Sequence, residues 1–181
     1  LVLWVWVACF TAASHNYMFK HLEVKDGLSN NQVNAIYKDS HGFMWFGTAS
    51  GLNRYDGYDT RIYRSLKDDG NSLPDSYIED IQEDATGNLW VRTGAGYAIY
   101  NSVSDIFDRN VEGWMWHIGI SGNPSTVYID SEKIFWIYVA GKGIYCYKPG
   151  QENAVMVAGT DTLLTEMNIT DMTECSEGIL L

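Results

Sequence analysis

The chain has 181 residues, room for one ordinary domain or for part of a larger one. With 12 Lys and Arg against 23 Asp and Glu its formal charge is −11, which argues against nucleic acid as a partner. Apolar residues make up 46% and charged ones only 19%, so a disordered acidic tail is excluded.

Aromatic residues reach 14%, with 17 Gly and 3 Pro, a mixture that suits short strands joined by tight turns. Nowhere do apolar residues recur at i, i+3, i+4 and i+7 for three turns, so long helices are not expected. Residues 1–14 are expected to be the remnant of a secretory signal lacking its basic start: the apolar run Leu1–Phe10, then the small residues Thr11, Ala12, Ala13 and Ser14. Cleavage after Ala13 would place the mature chain outside the cytoplasm. The run is too short to span a bilayer, which takes roughly 20 apolar residues. Of the cysteines, Cys9 falls in the signal, and Cys146 and Cys175 lack metal-ligand spacing and are expected as free thiols. Neither a metal site nor a cofactor is expected.

From residue 39 the chain repeats. Asp39, Gly42, Trp45, Thr48, Gly51 and Tyr55 recur as Asp84, Gly87, Trp90, Thr93, Gly96 and Tyr100, each displaced by 84 − 39 = 45. A third copy runs through Asp130, Trp136, Gly143 and Tyr147, with 136 − 90 = 46. A fourth starts near Ile169, carries Gly178 and reaches Leu181 at the Trp position. Periods of about 40–50 residues rich in Gly and Trp belong to β-propeller blades of four strands. The fold class is therefore all-β: four-stranded antiparallel blades, about three and a half of an incomplete ring, at approximately 30–66, 75–110, 122–150 and 167–181. In the first copy, Val33–Lys38 is the inner strand, Asp39–Gly42 a turn, Phe43–Gly47 the second strand, Leu52–Tyr55 the third and Thr60–Arg64 the outer strand. Trp45, Trp90 and Trp136 are expected at equivalent buried positions, filling the wedges between blades.

The run Asp26-Gly27-Leu28-Ser29-Asn30-Asn31, with Val33, Ile36, Asp39, Gly42-Phe43-Met44-Trp45-Phe46-Gly47-Thr48 and Gly51-Leu52-Asn53-Arg54-Tyr55-Asp56, resembles the two-component regulator propeller repeat. The second copy departs from it with Arg92 at the place of Gly47, and the third with Val139 for Thr and Lys133 for the turn Gly. The resemblance implies that 15–181 is the N-terminal part of the periplasmic sensor region of a hybrid histidine kinase, as in Bacteroidetes. It also implies a glycan or oligosaccharide ligand, transcriptional output, further blades with membrane and kinase parts, and a homodimer in full length. No kinase motif is present here, and His15, His21, His41 and His117 lack phospho-acceptor surroundings.

Candidate ligand residues lie where the copies differ. Trp114 and Trp116 alternate at strand spacing beside His117 and would share one side, suiting the flat face of a sugar and a hydroxyl. Arg92 and Tyr138 occupy the matching end of the second strand. All five are expected on the face carrying the Thr48–Gly51 and Thr93–Gly96 loops, with Arg92 as an anchor for an anionic glycan. No catalytic residue is expected, the inner strands offering mainly Asn34, Tyr37, Glu79 and Gln82. Two other classes stay open: a propeller-based enzyme of lyase or glycosidase type, which would need carboxylates or His facing the channel, and a free-standing periplasmic interaction scaffold.

Overall fold

The computed structural model describes residues 21–159, 169–175 and 178–180. The expected signal remnant, 1–14, lies outside them. Three four-stranded antiparallel sheets follow one another, each ordered as its strands occur in the chain. The first holds β1 (Val33–Lys38), β2 (Met44–Thr48), β3 (Gly51–Tyr55) and β4 (Thr60–Tyr63). The second holds β5 (Ile78–Glu83), β6 (Leu89–Thr93), β7 (Gly96–Asn101) and β8 (Ile106–Asp108). The third holds β9 (Thr126–Ile129), β10 (Phe135–Val139), β11 (Gly143–Tyr147) and β12 (Val155–Gly159), so it extends past the expected limit at 150. A hairpin of β13 (Thr173–Cys175) and β14 (Gly178–Leu180) begins a fourth.

The repeat has one physical cause. Asp39 Oδ1 accepts the backbone N–H of His41 (3.0 Å) and Phe43 (2.8 Å), while Oδ2 accepts the indole N–H of Trp45 at 2.7 Å. Asp84 does the same with Thr86, Asn88 and Trp90, and Asp130 with Glu132, Ile134 and Trp136. One carboxylate thus closes the turn and orients the large ring into the wedge. The turn requires a left-handed residue: Gly42 has φ 91° and Gly87 φ 81°. Lys133 adopts φ 64° in the third copy, at a cost of about 1 kcal/mol for a residue with a Cβ, and its ammonium donates to the Glu83 carbonyl at 2.9 Å. At the other end of the second strand, Thr48 and Thr93 donate to the carbonyls of Gly51 (2.9 Å) and Gly96 (2.7 Å). Val139 has no hydroxyl to do so.

Apolar wedges join the sheets. Trp45, Leu52, Ile78, Ile81, Val91 and Tyr100 fill the first, and Trp90, Met115, Val127, Phe135 and Ile137 the second. Trp45 and Trp90 are buried as expected, whereas Trp136 is half-buried against a smaller third cluster built on Tyr138, Ile144, Ile169 and Met172. Above the first wedge the Glu83 carboxylate accepts from the N–H and hydroxyl of Ser40 (3.1 and 2.6 Å), and Glu174 accepts from Ser131 in the same way (3.0 and 2.9 Å). At the middle junction both partners are replaced, by Ala85 and Ile129. There Gln82 takes over, donating to Val127 O (3.0 Å) and accepting from Ile129 N (2.6 Å).

The connection between the second and third sheets departs from expectation. Residues Val111–His117 form a helix, α1, not a strand. Asn110 caps it by accepting from Gly113 N at 3.0 Å, and Val111, Met115 and Ile118 bury one stripe of the short i, i+4, i+7 pattern. Two residues apart on a helix, Trp114 and Trp116 point about 200° from each other instead of sharing a side. Cys146 and Cys175 are free thiols.

Replacing Asp39 by Ala in the intact protein should remove three bonds to a buried carboxylate and destabilise it by about 3 kcal/mol. Urea denaturation checks this, with exposed Asp68→Ala near zero as the reference.

Candidate functional site

Two of the concavities among the described residues gather several of the expected residues. The inner one, of about 780 Å³, is walled by the innermost strands β1, β5 and β9 and by Thr170–Met172 and Glu174. Asn34, Tyr37, Glu79 and Gln82 all line it, with Arg92 and Lys133. It also holds the carboxylates of Asp80, Glu83, Asp130, Asp171 and Glu174. Each of these has a structural partner. Glu83 and Glu174 hold the serine clamps, Asp130 its turn, Asp171 the N–H of Met172 (2.9 Å) and Asp80 the amide of Gln82. Burial, and then the negative charge of Glu83, push the Tyr37 phenol above its ordinary pKa, so it faces the cavity as a neutral hydroxyl.

Arg92 is engaged within the fold. Its Nε pairs with Glu79 Oε2 at 2.8 Å and its Nη1 donates to Thr170 O at 3.0 Å, a bridge from the second sheet to the start of the fourth.

The second concavity, of about 450 Å³, lies outside the middle wedge between α1 and the β11–β12 loop. Ile99, Asp108, Trp114, His117, Tyr147, Gln151 and Glu152 line it. Trp114 is half-buried, its ring held edge-on by Trp90 at 4.6 Å and Tyr147 at 5.7 Å and tilted against Phe135 at 5.1 Å. His117 Nδ1 lies 2.7 Å from Gly113 O. Since a carbonyl only accepts, Nδ1 is the donor of this bond.

The five expected ligand residues are therefore not gathered on one surface. Only Trp114 and His117 share a cleft. Phe135 and Tyr147 pair at the Asp130 end of β10 and β11, so this cleft is not on the face of the Thr48–Gly51 and Thr93–Gly96 loops. Trp116 is 73% exposed and lies apart, beside Gly119, Ile120 and Ser121. Tyr138 belongs to the core beneath Ile169 and Met172. Sequence reasoning missed Asp108, Tyr147, Gln151 and Glu152. Tyr147 is the repeat tyrosine, and the 148–154 loop carries no periodic signal. Among the described residues no group of His, Cys, Asp and Glu could hold a metal, and no helix is long and apolar enough to cross a membrane.

The model of the two component regulator propeller family matches residues 27–50 and 72–95, the segments that carry the first two Asp turns and the tryptophans Trp45 and Trp90. Over these two segments the chain is similar to that family. A curated relative, histidine kinase P4 of Formosa agariphila, is 41% identical over 62 residues, which is 34% of this chain and 4% of the relative. Two solved extracellular domains of putative hybrid two component systems from B. thetaiotaomicron share the fold. One has a TM-score of 0.59 at 23% identity and covers 91% of this chain and 24% of its own. The other has a TM-score of 0.56 at 22% identity, over 77% and 20%. The chain thus spans a small part of each of these relatives.

Replacing Glu83 by Gln removes the charge that opposes ionisation of Tyr37. The Tyr37 pKa should then fall toward the ordinary tyrosine value, about 10, as read by NMR titration.

Proposed function

We propose that this chain is part of the extracytoplasmic sensor region of a hybrid two-component histidine kinase, that the region recognises a glycan or oligosaccharide, and that binding is passed to transcriptional control. The observation that carries the reading is the pair of regulator propeller repeats at 27–50 and 72–95. The shared fold of two extracellular domains of putative hybrid two component systems supports it. In this reading the region stands in the periplasm, continues into further blades and into membrane and kinase parts, works as a homodimer and catalyses nothing itself. The pairing of each inner-wall carboxylate with a structural donor supports a binding role over acid–base chemistry, which needs a carboxyl free to exchange a proton with substrate.

The test is transcriptional. In its native host the gene should be required for induction of one set of transcripts by one class of purified polysaccharide, and excision of residues 24–159 should abolish that response. Induction unchanged across a broad polysaccharide panel after excision would contradict the proposal.

A further inference from the structure

We infer that the cleft between α1 and the β11–β12 loop is a saccharide subsite selective for uncharged sugars, with Trp114 as its platform and His117, Gln151 and Glu152 as its polar contacts. This rests on the glycan reading above and goes beyond it by naming the place and the ligand class.

Four observations point there. First, the cleft is wider than its counterpart at the preceding junction, about 450 Å³ against about 230 Å³ between β4, β8 and the connection 66–72, because α1 is inserted in it. The matching connection between the first and second sheets is tied down by Arg109, whose guanidinium donates to Ser72 O (2.7 Å), Asp69 O (3.0 Å) and Leu73 O (2.7 Å). Second, Trp114 differs from the repeat tryptophans. The indole N–H groups of Trp45, Trp90 and Trp136 are all given to turn carboxylates, whereas that of Trp114 makes no hydrogen bond among the described residues. Its ring is fixed by Trp90, Phe135 and Tyr147 yet half open, so stacking a ligand on it costs little side-chain ordering.

Third, the cleft offers acceptors to a ligand rich in hydroxyl donors. The side chains of Gln151 and Glu152 make no hydrogen bond within the described residues, nor does Nε2 of His117. Fourth, the charge is one-sided. Asp108 and Glu152 line the cleft and neither Lys nor Arg does, so a uronate or sulfated sugar would meet repulsion without a counter-charge. The volume of about 450 Å³ falls in the usual span of small-molecule clefts, about 300–1,000 Å³.

The experiment uses the intact protein and a panel of neutral hexasaccharides of glucose, mannose, galactose and xylose, with tetragalacturonate as the anionic probe, by calorimetry and by NMR of the Trp114 indole. A neutral member should bind and shift the Trp114 signal, and tetragalacturonate should not. Glu152→Lys and His117→Ala, both at exposed positions, should each weaken the neutral ligand at least tenfold with an unchanged circular dichroism spectrum. Trp114→Phe, which keeps a ring in the wedge, should also weaken it. Full affinity in all three variants would overturn the subsite while leaving glycan recognition in place. Preference for tetragalacturonate would overturn the stated class. Absence of binding by every saccharide would overturn the subsite together with the glycan reading.

Discussion

A single carboxylate at the turn between the first two strands of each sheet governs this structure. Asp39, Asp84 and Asp130 each accept two backbone N–H groups from the turn and one indole N–H from the tryptophan six residues on. The spacing is dictated by geometry: one oxygen reaches the N–H groups at i+2 and i+4, and the other meets the ring at i+6 on the second strand. Fixing the ring sets the shape of the wedge against which the next sheet packs, so local turn chemistry becomes inter-sheet geometry. Burying an indole N–H without an acceptor would cost about 1–3 kcal/mol, and the carboxylate removes that penalty where the ring is largest.

The sheets are joined by a second device that varies along the chain. Serine–glutamate clamps bind the first sheet to the second and the third to the fourth, whereas at the middle junction, with Ala85 and Ile129 in their places, Gln82, Lys133 and Tyr97 make the bonds. The same middle junction receives α1 and the outer cleft. Structural repetition and local difference are thus separated in space: the turns carry the fold, and the junction between the second and third sheets carries the proposed subsite.

The turn spacing made the fold legible. Asp, Gly and Trp recur because a carboxylate, a left-handed turn residue and a wedge-filling ring are each hard to replace, and even the exception, Lys133, keeps the left-handed backbone. The helix was harder to read. Its pattern covers only Val111, Trp114, Met115 and Ile118, barely two turns, and Trp-Met-Trp alone fits a strand equally well. Positional equivalence also misled: Arg92 and Tyr138 match in register, yet Arg92 meets the inner cavity while Tyr138 is roofed by Ile169 and Met172. Burial depends on the neighbouring sheet, which a repeat alignment does not contain. The residues completing the cleft, Gln151 and Glu152, lie in a loop whose position follows from folding and not from any motif.

Hydrogen exchange at the indole N–H groups, resolved by NMR and assigned by single Trp→Phe substitutions, tests the central claim most directly. If turn carboxylates hold the wedge rings, Trp45 and Trp90 should exchange slowest and half-buried Trp136 next, with Trp114 and exposed Trp116 exchanging fast. Equal rates for Trp45, Trp90 and Trp116, or fast exchange at Trp45 and Trp90, would contradict the account.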